Sequence, residues 1–223
     1  MRSVLLVVAA LGVGGCPAPT DPITPDGGPP SDGTNDDAPP NASRLIISWA
    51  TSPMVPGVTT GGNTVTDVKF RMENFKATVD VDPTDPNTTK EEYKLHWDDD
   101  DTPASITFEN APAGTYTSVV LQLDEGDDEE AFEITGTAAN SESYKLDDRA
   151  SMSISMNCNV TLAAGEERTL VVDINLQPAI DTLDIQTLNS GDGFAHHLDA
   201  NDDPEAMATF RTALQQAFSI RTN

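Results

Sequence analysis

Beyond residue 44 the chain is written in short runs whose apolar side chains recur at every second position. That period marks half-buried β-strands, because successive side chains on a strand point to opposite faces. Leu45-Ile46-Ile47-Ser48-Trp49 is the first run, and a Pro/Gly/Thr loop at about 51–63 separates it from a longer one at 64–81. There Val68, Phe70 and Met72 share one phase, while Phe75, Ala77, Val79 and Val81 share the other. A slip of one residue turns a strand over, so a β-bulge is expected at Glu73-Asn74, where the phase changes. Shorter alternations follow at Tyr93/Leu95/Trp97, Ile106/Phe108, Thr117/Val119/Leu121/Leu123, Phe132/Ile134 and Tyr144/Leu146. Residues 151–162 keep a strict period of two through Met152, Ile154, Met156, Cys158, Val160 and Leu162. After the turn Ala163-Ala164-Gly165-Glu166-Glu167, the residues Leu170, Val172, Ile174 and Leu176 alternate again until Pro178. These two runs form the best hairpin pattern in the chain.

Turn residues recur between these runs at roughly ten-residue intervals, which predicts an all-β fold, an antiparallel Greek-key-like β-sandwich. A parallel α/β fold would need amphipathic helices between the strands. The pattern supplies one clear helix, at about 203–219. Asp203 can cap it, Pro204 suits its first turn, and Met207, Phe210, Leu214 and Phe218 follow helical spacing. Met207 and Phe218 are expected to cover an open sheet edge or one end of the sandwich.

The first residues break the pattern. Arg2 precedes an apolar run, Val4–Val13, which is too short for a spanning helix of about 20 residues and reads as a signal peptide. It ends in Val13-Gly14-Gly15-Cys16, which resembles the lipobox of bacterial lipoproteins. The resemblance implies removal of residues 1–15 and a diacylglyceryl thioether on Cys16; Val13 stands where leucine is commoner. Pro17, not Asp, follows the cysteine. An inner-membrane retention signal is therefore missing, and the outer membrane of a diderm cell is the expected address. The other reading is an ordinary secretory signal that ends beside a cysteine. Each buried acyl CH₂ contributes about 0.8 kcal/mol, so two or more chains hold a protein on a bilayer stably. Residues 17–43 hold eight prolines, three glycines and five aspartates, a composition expected to stay disordered as a tether. Fully extended, such a segment reaches roughly 80 Å. The folded domain is then expected at 44–223.

Charge narrows the partners. The chain carries 12 Lys+Arg against 37 Asp+Glu, a formal net charge of −25. Such a surface repels nucleic acid and anionic headgroups, so contact with membrane is expected through lipid alone. It suits cations, basic proteins or plain solvation.

Two acidic loops are candidates for calcium, the one cofactor the sequence suggests: Asp98, Asp99, Asp100 and Asp101, and the run containing Asp124, Asp127 and Asp128. Calcium takes six to eight oxygen ligands, which Asp-rich loops supply; a solvated loop is the bland reading of both. Asp199-Ala200-Asn201-Asp202-Asp203 begins like an EF-hand, but Pro204 stands where glycine is needed and Phe210 where the bidentate glutamate belongs. It reads better as the cap of the last helix. His196 and His197 are adjacent, point to opposite faces if in a strand, and read as a chance loop pair. His96 is expected on the strand face opposite Trp97, at the surface. Cys158 reads as a small buried hydrophobe rather than a nucleophile. Gly-x-Ser-x-Gly, His-Glu-x-x-His, P-loop and dinucleotide fingerprints are all missing from the sequence.

Three segments, Val65-Thr66-Asp67-Val68-Lys69-Phe70, Ala113-Gly114-Thr115-Tyr116-Thr117-Ser118-Val119-Val120-Leu121, and Leu162-Ala163-Ala164-Gly165 leading to Leu170-Val171-Val172-Asp173-Ile174, are similar to landmarks of a bacterial family of lipid-anchored β-sandwich domains of unknown function. The resemblance implies fold and location over about 64–178, and no activity. The expectation is a non-enzymatic envelope module that binds a protein, glycan or cation through its loops. The alternative is an envelope hydrolase, or a calcium-dependent adhesion-type module, using carboxylates of the acidic loops or His196 and His197.

Overall fold

The computed structural model describes residues 42–127 and 129–222. Except for residues 42 and 43, the segments expected as signal peptide and tether, with Cys16, lie outside the described residues, as does Asp128. In chain order the elements are β1 (Arg44–Ser52), β2 (Gly57–Val58), β3 (Thr64–Val79), β4 (Thr89–Trp97), β5 (Ile106–Glu109), β6 (Gly114–Leu123), β7 (Phe132–Thr137), β8 (Ser143–Asp148), β9 (Met152–Leu162), β10 (Glu167–Asn175), α1 (Leu176–Ile180), β11 (His196–Leu198), α2 (Pro204–Ala217) and β12 (Phe218–Thr222).

The fold is all-β and sandwich-like, built from two sheets. A four-stranded sheet has the order β12-β10-β1-β5. An eight-stranded, curled sheet runs β11-β8-β7-β3-β6-β9, with β2 and β4 also paired to β3. One apolar core takes side chains from both sheets and from α2. Phe75 of β3 sits at its centre, edge-on to Trp49 of β1 at 5.7 Å and stacked with Phe108 of β5 at 6.2 Å. Phe70 meets Phe218 of β12 at 5.6 Å. Aromatic pairs at these spacings add to the hydrophobic gain of burial.

The long strand β3 organises the larger sheet. Its bulge falls where the phase change predicts: Glu73 pairs with Gln122 and Lys76 with Val120, so one extra residue is taken up on β3. Asn74 adopts φ 51° there. The bulge lets Met72 and Phe75 both face the core, each with no exposed surface. Along that same edge β3 meets β7 up to Phe70↔Phe132 and β6 from Met72↔Leu123 onward. β6 and β7 are thus one interrupted strand, and the acidic loop 124–131 is the excursion between them. Arg71 closes its neck: its N–H donates to Ala131 O at 3.0 Å, and its carbonyl accepts from Asp124 N at 3.2 Å.

Several sequence expectations are corrected. β9 and β10 do not form a hairpin. β9 pairs with β6 in the larger sheet, whereas β10 pairs with β1 and β12 in the smaller, so the turn at 163–166 carries the chain from one sheet to the other. The sandwich is not purely antiparallel, because β1 runs parallel to β10 and β11 parallel to β8. Leu176 and Pro178 belong to the short helix α1, not to a strand end. Tyr116, not Thr117, enters the core, because the register of β6 against β9 shifts between Tyr116 and Ser118. Val81 lies past the end of β3 and is 65% exposed.

α2 starts where expected, with the Asp203 carboxylate accepting from Ala206 N at 3.0 Å, and it buries Met207, Phe210 and Leu214. Phe218 continues the helical spacing in sequence but is the first residue of β12. That strand closes the β10 edge of the smaller sheet. Among the described residues no helix is long and apolar enough to cross a membrane.

Candidate functional site

Because the even-numbered residues Val68, Phe70 and Met72 fill the core, their odd-numbered neighbours on β3 face outward. The register then lays a row of ionisable side chains across five strands. Lys69 of β3 lies opposite His96 of β4 on one side and Glu133 of β7 on the other. Glu133 lies opposite Asp147 of β8, and Lys145 of β8 is paired in register with His197 of β11. The charges alternate. Lys69 Nζ is 3.3 Å from Asp67 and 2.8 Å from Glu133. Lys145 Nζ is 3.4 Å from Glu133, 3.5 Å from Asp147 and 2.8 Å from Asp192. A histidine stands at each end of this ladder.

At the far end His197 is clamped. Its Nε2 is 2.8 Å from Asp147 Oδ1 and its Nδ1 is 2.8 Å from Asp202 Oδ2. An imidazole hydrogen-bonded to a carboxylate through each nitrogen donates from both, and so carries a charge. Burial opposes that charge, but the hydrogen bonds and charges of Asp147 and Asp202 outweigh it and hold the His197 pKa above the ordinary histidine value. Burial also pushes the Asp147 carboxyl up, against the hydrogen bond from His197 and the charge of Lys145. Asp147 and Asp192 could share a cation with His197, but the Lys145 ammonium already stands between them. This end is a structural joint: it ties β11 and the capping loop of α2 to β8. Arg211 of α2 adds a bidentate pair with buried Asp148, Nη2 to Oδ1 being 2.6 Å.

At the near end His96 has no such clamp. Its Nε2 is 3.5 Å from Asp67 Oδ1 and 3.3 Å from Asp98 Oδ2. His96 Nε2 and Asp67 Oδ1 are both out of solvent, and neither makes a hydrogen bond. Asp98 is fixed by its own loop: Asp100 and Asp101 N–H groups donate to its Oδ1 at 2.8 and 2.7 Å. Those two bonds hold its pKa below the usual carboxylate range. Asp101 Oδ2 lies 3.4 Å from His96 Nδ1.

Between the two ends the sheet face opens into a groove of about 480 Å³. Lys69, Arg71, Lys94 and Lys145 line it, interleaved with Glu129, Glu130 and Glu133. Lys94 Nζ is 2.6 Å from Glu129, and Arg71 donates from Nη1 to the carbonyls of Asp124 and Glu125 at 3.2 and 2.5 Å. The acidic loop therefore forms one wall of the groove, held by Arg71.

The predicted site residues are placed as follows. Asp98 and Asp101 converge on His96, joined by Asp67, which the sequence reading did not single out. Asp99 and Asp100 are exposed, and their side chains take no part. Asp124 is committed to its own loop stem, accepting from Gln122 Nε2 at 3.0 Å and Ser151 Oγ at 2.5 Å. Asp127 is exposed at the loop tip. Among the described residues, no group of three ligand atoms joins the two acidic loops. His196 and His197 do point to opposite sides, but they are not a loop pair: both are buried in β11, and His196 faces Leu188 O at 3.2 Å and Glu142 at 3.0 Å. Asp199 caps its own turn, accepting from Asn201 and Asp202 N–H groups at 2.7 Å each. Cys158 is half-buried, its Sγ donates to Tyr116 O at 3.3 Å, and burial pushes its thiol pKa up. A thiol so placed is a poor nucleophile.

No family model, no curated protein and no solved structure matches the chain.

Proposed function

We propose that this chain is a cell-envelope lipoprotein, anchored by acylated Cys16 to the outer membrane, that displays its sandwich on the tether of residues 17–43 as a non-enzymatic binding module. Its working surface is the outward face of the eight-stranded sheet. The observation that carries the reading is the open groove of about 480 Å³, in which Lys69, Arg71, Lys94 and Lys145 alternate with Glu129, Glu130 and Glu133 on one face of a chain with only 12 Lys and Arg residues. A protein or glycan bearing acidic and polar groups fits such a floor of paired charges, because it can exchange partners with cations already held in place. The hydrolase alternative draws less support. The histidines it would use have both ring nitrogens engaged, His197 by two carboxylates and His196 by Leu188 O and Glu142.

Two experiments test the two halves of this reading. Cys16→Ser should move the protein from the membrane to the soluble envelope fraction; a variant that still sediments with membranes contradicts the anchor. A photo-crosslinking residue placed at Lys94 in the full chain should capture a partner from intact envelopes, whereas the same residue at exposed Ser155 on β9 should not. Capture at both positions or at neither contradicts the groove.

A further inference from the structure

We propose that Asp67, His96 and Asp98 form a binding site for a divalent transition metal of the zinc class. Asp67 lies on β3, His96 on the neighbouring β4 and Asp98 one residue past the end of β4. Lys69 and His96 are paired in register, so Asp67, two residues before Lys69, and Asp98, two residues after His96, stand on the same outward face beside the imidazole. The ligand atoms, one from each residue, lie within 4.8 Å of one another.

The spacing suits a metal better than a hydrogen bond. Zinc bonds to nitrogen and oxygen are about 2.0–2.2 Å, and tetrahedral or octahedral angles then put neighbouring donors about 3–3.5 Å apart. His96 Nε2 is 3.5 Å from Asp67 Oδ1 and 3.3 Å from Asp98 Oδ2. Both His96 Nε2 and Asp67 Oδ1 are shielded from water without a hydrogen-bond partner, a condition that buried polar atoms rarely tolerate. An ion between them would satisfy both.

The surrounding groups fit the same role. Asp101, 3.4 Å from His96 Nδ1, lies on the side of the ring away from Nε2, near enough to take up the Nδ1 proton once an ion holds Nε2. The turn that holds Asp98 Oδ1 leaves Oδ2 to face the imidazole. Lys69, 3.3 Å from Asp67, offsets part of the negative charge without reaching His96 as a ligand. The donor set names the class of ion. An imidazole nitrogen with two carboxylates suits zinc and its first-row neighbours, whereas calcium seeks six to eight oxygens. Three protein ligands also leave a coordination position open, and His96 borders the groove. The site takes the ion whether or not the groove takes a partner.

Titration of the full-length protein with Zn²⁺, in excess Mg²⁺ to saturate the acidic surface, tests this. One equivalent should bind, and Ca²⁺ in place of Zn²⁺ should not compete. His96→Gln and Asp67→Asn should each abolish that equivalent, and Asp101→Asn should weaken it about 10- to 100-fold. His197→Gln should leave it intact. Circular dichroism of the variants separates loss of the site from loss of fold; the exposed-face changes at His96 and Asp67 should leave the spectrum unchanged. Zinc bound equally by His96→Gln, zinc lost in His197→Gln, or no zinc bound by the wild type would each overturn the proposal.

Discussion

The two ends of the charge ladder use the same residue types to opposite ends. At β11 one histidine meets two carboxylates at 2.8 Å each, with the Lys145 ammonium beside them, and every charge has its counter-charge inside the protein. At β4 one histidine meets three carboxylates at 3.3–3.5 Å, too far for good hydrogen bonds and with two shielded atoms unsatisfied. A closed set of pairs stabilises the fold. A set that lacks its cation is poised to take one. The lesson is that distance and satisfaction, not residue composition, separate a structural histidine cluster from a ligand-binding one.

The largest expected effect breaks the closed end. Asp147→Ala leaves His197 and Lys145 without their shared partner in a buried setting, and loss of one member of such a pair costs about 3–5 kcal/mol. His96→Ala, at the open end, should change stability by no more than about 0.5 kcal/mol in metal-free buffer. Urea unfolding of both variants measures the contrast, and similar losses would erase it.

The next effect is in the pH dependence. The folded protein holds the His197 proton more tightly than the unfolded chain does. Its contribution is therefore complete below about pH 6.5 and is lost as pH rises through the raised folded value. Asp147, also raised, acts in the same direction at lower pH. Asp98 and Asp199, both lowered, contribute above the ordinary carboxylate range and lose their share as pH falls through their folded values. Thermal melts should peak in mild acid and decline above neutrality. His197→Gln should remove most of that alkaline decline.

Much of the fold is legible in the chain because period-two patterning is a local signal. The bulge at Glu73-Asn74, the strands carrying Leu95 and Trp97 or Tyr144 and Leu146, and the cap at Asp203 all follow from neighbours in sequence. The β9–β10 hairpin misleads for the same reason. Two alternating runs around a tight turn look alike whether they pair or part, and what parts them is the parallel alignment of β10 with β1, with Arg44 opposite Glu167. Phe218 misleads because a helix can end without a change in apolar spacing. The acidic loop at 98–101 was visible as a cluster. Its partner Asp67 was not, since only the β3–β4 register brings it beside His96. The pair His196-His197 lies in a strand of three residues, too short to show a period.

The most direct test of the contrast is a thermal melt with and without Zn²⁺ for three full-length proteins: wild type, His96→Gln and His197→Gln. Zinc at about a hundredfold over its Kd should raise the wild-type Tm by roughly 5–10 °C. It should raise His197→Gln, from a lower starting point, by as much, and leave His96→Gln unmoved. A zinc shift that survives His96→Gln, or that disappears with His197→Gln, would contradict the assignment of one end to structure and the other to a metal.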